Sequence, residues 1–438
     1  MSALQKARYH YGLITGSYWG FTLTDGALRM MVLLYFHTLG YSPFTLALLF
    51  LLYEAAGIFA NIAGGWLATR FGIRRMLLLG ISTQILGLGL LSLLNPLWAA
   101  ALSVTWVVIA QGLCGIAKDL TKTASKSAIK VVQQEPAALD GSTPPRIVPG
   151  TGGVDLEVDP PLALSTKAND NPLLRWVAWF TGSKNAMKGL GFFLGGLLLQ
   201  GLGFQGALWL MMGLLLAIGG VLATQLPHDL GRGQSSRSLR ELLAKTPAIN
   251  LLAAARILLF GARDVWFVVG VPVYLYAAGW SFTAVGLFWA LWTIGYGVVQ
   301  AITPQFMRKS ADGLSHEVRT ARHWAFYLLL VPIALTGLII LDPNTDPIWI
   351  VLGLGVFGVI FALNSSLHSY LILAYAGSKK AAEDVGFYYA ANASGRFMGT
   401  LLSGLLYQWA GLSGVLVGAS VMLLGCWLIT LRLPSGKA

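Results

Sequence analysis

Apolar runs long enough to cross a bilayer recur along this chain, and they constrain its fold more than any other feature. About 20 consecutive apolar residues in an α-helix span the ~30 Å hydrocarbon core. Twelve such runs are read here, near residues 12–37, 43–68, 76–94, 97–117, 174–200, 204–226, 248–276, 282–304, 323–341, 347–373, 385–409 and 412–432. They are continuous rather than alternating, which excludes a membrane β-barrel. A chain of 438 residues that is 56% hydrophobic, 11% charged and has a mean hydropathy of +0.67 is also no ordinary soluble domain. The expectation is an all-α integral membrane protein of twelve transmembrane helices.

The net charge of +12 raises the possibility of a nucleic-acid partner, but the distribution of the cations argues for topology instead. Arg70, Arg74 and Arg75 lie in one turn, Arg232, Arg237, Arg240 and Lys245 in another. Arg308, Lys309, Arg319 and Arg322, then Lys379 and Lys380, fill two more. The alternate turns, around Gly40, Asn95, Gly203, Gly279, Asp342 and Gly411, hold no Lys or Arg. That asymmetry follows the positive-inside rule and places both termini and the basic turns in the cytoplasm. Lys6 and Arg8 precede the first run with no small-residue cleavage site after it, so that run reads as an uncleaved helix. Cys114 and Cys426 fall on separate runs and read as packing residues, not as a disulfide or a metal site.

Five cations interrupt the apolar runs themselves: Arg29, Lys184, Lys188, Arg263 and Arg396. Each costs at least ~2.5–3.5 kcal/mol at mid-bilayer unless it faces a polar cavity, a counter-charge or a ligand. Asp25, Glu54 and Asp264 are the acids read at comparable depth, so the surplus is cationic and suits an anionic small molecule. Asp25 and Arg29, four apart, read equally well as a structural ion pair or as a proton-coupling acid beside a binding cation. Arg263 adjoins Asp264, and Glu54 is a second proton-coupling candidate. His37 and His368 read as helix-end or packing residues.

The chain repeats itself. An offset of 208 sets Lys188 on Arg396 and also matches Gly191, Gly196, Gln200 and Gly203 with Gly399, Gly404, Gln408 and Gly411. An offset of 239 sets Phe21 and Asp25 on Phe260 and Asp264. The difference of 31 residues is an insertion in the first half, and residues 131–172, with seven of the 17 prolines and six acids, have a composition too polar to fold. The division expected is a first six-helix half over 1–130 and 173–226, a disordered cytoplasmic insert over 131–172, a central cytoplasmic loop over 227–247, and a second half over 248–438. Two parallel-repeat halves with a site between them resemble the major facilitator architecture. Lys188 and Arg396 would then face one another as a two-sided clamp, with Arg396 able to grip an oxyanion bidentately.

Two cytoplasmic segments add detail. The turn Gly64–Arg75 resembles the loop signature of major facilitator proteins through Gly65, Arg70, Gly72, Arg74 and Arg75, although Thr69 stands where that signature has an acid. Lys118, Lys122, Lys126 and Lys130 recur every four residues along one helix stripe, as a vestibule that concentrates anions or as a contact with anionic lipid. Gly191 and Gly195, with Gly399 and Ser403, form small-residue faces for close helix approach. No metal-ligand spacing, cofactor motif or nucleophile–base arrangement is present in the sequence, so neither an enzyme nor a cofactor is expected.

The segments Phe21–Arg29, Gly115–Lys122, Thr181–Lys188 and Phe260–Trp266 resemble the ArsJ-type organoarsenical efflux permeases, and the likeness fails over 131–172. The resemblance implies an inner-membrane permease that exports 1-arseno-3-phosphoglycerate and so gives arsenate resistance. Glyceraldehyde-3-phosphate dehydrogenase would be its functional partner, as the source of that ester. Arg29, Lys118, Lys122, Lys184, Lys188, Arg263 and Arg396 would bind the anion. An organophosphate/inorganic phosphate antiporter would show the same cationic cavity.

Overall fold

The computed structural model describes residues 3–95, 97–139, 172–227, 246–306, 310, 314–375 and 381–435. Within them, the side chains of residues 3–4, 7–8, 62–70, 126–139, 172–182, 304–306, 381–383 and 385 are left out of the account. The described chain is helical throughout: α1 (Ala3–Thr38), α2 (Pro43–Phe71), α3 (Ile73–Ser92), α4 (Ala100–Leu139), α5 (Pro172–Gln225) and α6 (Pro247–Val265). A π-helical turn, Trp266–Gly270, leads into α7 (Val271–Ala277), followed by α8 (Phe282–Phe306), α9 (Ser315–Leu341), α10 (Pro347–Tyr375) and α11 (Ala381–Leu431). Among the described residues nine helical stretches are long and apolar enough to cross a membrane. Large apolar side chains such as Phe59, Leu216, Ile340 and Val421 face outward, as a lipid-facing surface requires.

Two of those stretches are 43 and 46 residues long, and each is broken where the sequence leads one to expect a turn. Gly203 breaks α5 at φ 67°, and Gly411, with Ala410, breaks α11 at φ 58°. A positive φ is cheap only for glycine, so the two matched glycines give the two long helices the same break. The offset of 239 has an equally exact backbone counterpart. At the end of α1, Gly40 N–H donates to His37 O and Tyr41 N–H to Phe36 O; at the end of α7, Gly279 donates to Tyr276 and Trp280 to Leu275. Gly40 and Gly279 have φ 83° and 90°, so both helices end in the same glycine-capped Schellman turn. Ser42 and Ser281, one repeat apart, then each accept from a backbone N–H three residues on, Thr45 and Ala284.

Small residues let the helices approach. A Cβ on Gly191 would lie 2.5 Å from Leu23 O and 3.1 Å from Gly26 Cα, and one on Gly399 would lie 2.6 Å from Gly261 O. Gly196 packs on the backbone of Phe282 and Thr283, while its repeat mate Gly404 packs on Pro43 and Phe44. Since Pro43 and Phe282 are themselves 239 apart, these are the same contact made in both directions between the two parts of the chain. Gln200 Oε1 accepts from Thr283 Oγ1 at 2.6 Å, and Gln408 Oε1 accepts from Phe44 N–H at 3.2 Å, which repeats the exchange. The small-residue face ends in Ser403, whose Oγ accepts from the N–H groups of Val269 and Gly270 at 3.1 Å each. Those donors belong to the π turn, which lies just ahead of Pro272; proline lacks the N–H that Val268 O would use in an α-helix.

Helix α4 runs to Leu139, past the expected boundary at residue 130, because Ala128–Leu139 continues the helix of the lysine stripe. The rest of the expected insert, 140–171, lies outside the described residues, as does most of the expected central loop.

Overpacking these crossings tests them. Gly191→Val should lower stability by ~1–3 kcal/mol, seen as a fall in Tm of the detergent-purified protein. Gly201→Ala, with nothing within 4 Å of its new methyl, should leave Tm unchanged. Equal Tm values for the two variants would contradict the packing described.

Candidate functional site

A polar cavity lies between the two repeated parts, lined by Tyr18, Phe21, Thr22 and Asp25 of α1, Lys118, Asp119 and Lys122 of α4, and Lys184, Asn185 and Lys188 of α5. Its other wall is Arg256, Phe260 and Arg263 of α6, Tyr296 and Gln300 of α8, and Tyr389, Asn392 and Arg396 of α11. Of the expected binding residues, Lys118, Lys122, Lys184, Lys188, Arg263 and Arg396 thus meet in one space. Lys188 and Arg396 come from opposite walls. The lysine stripe enters the cavity itself rather than stopping at its mouth, as far as Lys122; the side chains of Lys126 and Lys130 lie outside the described residues.

Glu54 organises the arginines. Fully buried on α2, it accepts from Arg29 Nη1 at 2.8 Å through one oxygen and lies 2.9 Å from Arg396 Nη2 through the other. Arg29 is therefore the partner of Glu54, not of Asp25 as the i,i+4 spacing allowed. Asp25 instead receives the Tyr53 hydroxyl, with O···O distances of 2.7 and 2.8 Å to its two oxygens. The correction has a simple cause. Tyr53 and Glu54 are adjacent on α2, and helix packing brings one to Asp25 and the other to Arg29 and Arg396. Gly57, one turn further on, keeps the space clear: a Cβ there would sit 3.5 Å from Arg396 Nη2 and 3.3 Å from Asp119 Oδ2.

The remaining charges sort themselves. Arg263 Nη2 pairs with Asp264 at 2.6 Å, as their adjacency suggested. Lys118 Nζ stands 3.8 Å from the centre of the Tyr53 ring and 3.9 Å from Asp119 Oδ2. Lys122 Nζ donates to Asn61 Oδ1 at 3.2 Å. Lys188 makes no ion pair among the described residues; its Nζ stands 5.7 Å from the centre of the Phe192 ring.

Two contributors were not singled out in the sequence. Asp119 is a fourth buried carboxylate at the site, only 3% exposed, in a segment read as a cytoplasmic vestibule. Arg256 is a sixth embedded cation, 2% exposed, which its closeness to the start of α6 disguised as a helix-end arginine. Eight cations (Arg29, Lys118, Lys122, Lys184, Lys188, Arg256, Arg263 and Arg396) now stand around four carboxylates (Asp25, Glu54, Asp119 and Asp264), so the surplus survives the pairing.

Of the loop signature, Gly72 takes φ 79° between α2 and α3, a turn only glycine makes cheaply. Arg74 Nη2 donates to Ala223 O at 2.5 Å, tying α3 to the end of α5, and Arg75 is on the same first turn of α3. The side chains of Thr69 and Arg70, and the surroundings of Gly65, lie outside the described residues. Cys114 and Cys426 are both buried and free. No group of three His, Cys, Asp or Glu side chains that could hold a metal is found among the described residues.

A repeat-built bundle of apolar helices around a central polar cavity defines a multi-pass membrane carrier. Residues 173–400, just over half the chain, match the family model of the Major Facilitator Superfamily, and the chain belongs to that superfamily. Its fold is similar to that of the nucleoside transporter NupG, with a TM-score of 0.68 over 99% of this chain and 100% of that one, at 13% identity. A D-xylose-proton symporter aligns with a TM-score of 0.64 over 98% and 99% of the two chains, again at 13% identity. A POT family transporter solved with a thioalcohol-conjugated peptide aligns at 0.66 over 97% and 95%, with 15% identity. Identities this low speak for the fold and not for the cargo. No curated protein sequence matches the chain.

Removing the shared carboxylate should expose its role. Glu54→Gln leaves two inward arginines without their counter-charge and should cost about 3–5 kcal/mol, read as a large fall in Tm. Glu54→Gln with Arg396→Gln should recover part of that loss, since only Arg29 then lacks a partner. Strictly additive losses in this double-mutant cycle would show that the pair is not coupled.

Proposed function

We propose that this transporter exports a small organic anion with an oxyanion group at each end, namely 1-arseno-3-phosphoglycerate, and so relieves arsenate toxicity. The observation that supports the reading best is the cationic surplus in the cavity: with Glu54, Asp25, Asp119 and Asp264 all engaged or closely approached by cations, positive charge remains on both walls. A cation kept from water and without a counter-charge is costly, and a bound anion offsets that cost. Phosphate monoesters carry about −1.5 to −2 at pH 7, a charge that such a cavity complements. The ester itself comes from the resemblance of four segments to the ArsJ-type permeases.

In this reading Lys188 meets one end of the substrate as a mobile point charge, while Arg263 and Arg396 present forked donors from the facing wall. Lys118, Lys122 and Lys184 hold the approach positive, and Arg29 supports Arg396 through Glu54. Asp25, Glu54 and Asp264 then act first as counter-charges, and proton coupling through any of them is secondary. The chain crosses the inner membrane twelve times, α5 and α11 each counting as two crossings joined at Gly203 and Gly411. Both termini and the basic turns are cytoplasmic, and the halves are 1–130 with 173–226 and 248–438. Glyceraldehyde-3-phosphate dehydrogenase is a functional partner because it makes the ester. The second reading, an organophosphate/inorganic phosphate antiporter, is favoured by the same cations and differs in requiring a counter-substrate.

Everted vesicles carrying the protein distinguish the two. With arsenate, glyceraldehyde 3-phosphate, NAD and the dehydrogenase outside, arsenic should accumulate in the lumen. The signal should vanish when the dehydrogenase is omitted and fall at least tenfold in Lys188→Ala, on the scale of one lost charge-assisted contact. No arsenic uptake, together with exchange of phosphate for a plain organophosphate, would replace export of the ester with the antiporter reading.

A further inference from the structure

Among the described residues, Arg256 is an embedded cation that the structure leaves with spare donors and that no motif pointed to. It sits on α6, lines the cavity and is 2% exposed. Its Nη1 donates to Ser365 O at 3.0 Å and to Ser365 Oγ at 3.1 Å, so α10 fixes the plane of the guanidinium. The Phe260 and Tyr388 rings, with centres 4.1 and 4.8 Å from its Cζ, hold it further. Nε and Nη2 donate to nothing among the described residues, and Nε is fully buried. Unlike Arg29, Arg396 and Arg263, Arg256 has no carboxylate partner there.

We infer that Arg256, oriented by Ser365, forms the subsite that selects a phosphate-type oxyanion on the α6 wall of the cavity. The inference rests on reading the chain as a carrier of organic anions and assigns one end of that anion to a residue. Arg256 and Arg263 flank the same Phe260 ring, 4.1 and 4.9 Å from its centre, so their Cζ atoms stand no more than about 9 Å apart. Arg263 is occupied by Asp264; Arg256 is not. A planar, oriented guanidinium with unused donors matches the oxygens of a phosphate group better than it matches a hydroxyl, and the phosphate's larger charge favours it over a carboxylate. Two aromatic faces exclude water around it and strengthen the contact. The neighbouring Asn364 and His368 of α10, both fully buried with side-chain polar atoms unpaired, keep that flank polar without supplying a competing negative charge.

The test compares 3-phosphoglycerate with glycerate, which lacks the phosphate, by calorimetry on the purified full chain in detergent. Wild type should bind 3-phosphoglycerate about tenfold to a hundredfold more tightly, the range expected of a charge-assisted contact. In Arg256→Gln the ratio should collapse toward one with glycerate affinity held. Arg256→Lys should keep part of it, and Ser365→Ala should lower it while leaving the charge in place. An unchanged ratio in a folded Arg256→Gln overturns the inference. If that variant does not fold, wild-type ratios in both Arg256→Lys and Ser365→Ala overturn it instead. Loss of the preference in Lys188→Ala but not in the Arg256 variants leaves the anion-carrier reading standing and removes this assignment. A wild type that prefers neither probe removes both.

Discussion

The buried carboxylate of Glu54 is the interaction on which the centre of this molecule depends. Two guanidiniums from helices at opposite ends of the chain converge on it, Arg29 of α1 and Arg396 of α11. The shared carboxylate offsets part of the cost of both, since several kcal/mol of desolvation stand against each buried ion. The residues beside Glu54 are committed to the same task. Tyr53 turns its hydroxyl to Asp25 and its ring face to Lys118, while Gly57 supplies the room in which Arg396 and Asp119 approach. A single turn of α2 thus sets the positions of charges on α1, α4 and α11.

Away from the charges, the two parts of the chain are held together by backbone. Gly196 on Phe282 and Gly404 on Pro43 place helices in direct main-chain contact, and Gln200 and Gln408 add one hydrogen bond to each crossing. Both crossings lie near the glycine turns at Gly40, Gly203, Gly279 and Gly411, the end of the bundle without basic residues. Contacts of this kind bury little charge and few flexible side chains, so forming them orders little that was free. The stronger ionic link of Glu54 to Arg396 lies deeper, beside the cavity. Association at the turn end is therefore a matter of shape, whereas at the cavity it is a matter of charge.

What was legible in the sequence follows from this division. Apolar runs, glycine breaks and the two repeat offsets are properties of local composition and backbone, and Gly203, Gly411, Gly40 and Gly279 announce their turns by residue type alone. The membership of the cavity was also legible, since an isolated Lys188 or Arg396 in an apolar run has few other places to point. Partnerships were not. Spacing pairs Arg29 with Asp25 on one helix, but the rotation of α2 against α1 gives Arg29 to Glu54, and no single helix records that rotation. Asp119 and Arg256 were passed over because each lies toward the end of an apolar run, where a charge is ordinarily solvated; here the cavity reaches them. Ser403 read as one more small packing residue because the π turn it caps arises from Pro272, on a different helix.

The sorting of charges has a consequence for how such a cavity works. Arg29, Arg396 and Arg263 are partly neutralised by carboxylates that belong to the protein, so an incoming anion gains less from each than an unpaired cation would give. Lys188 and Arg256, on facing walls, form no ion pair among the described residues, and burial without one is costly. An anion that reaches both removes two unfavourable terms at once, while one that reaches only a single wall removes one. On the proposed reading, selection for a substrate charged at both ends therefore requires no precise fit along its length. It requires that Lys188 and Arg256 belong to different walls and that Glu54 and Asp264 weaken the hold of Arg29, Arg396 and Arg263 on a smaller anion.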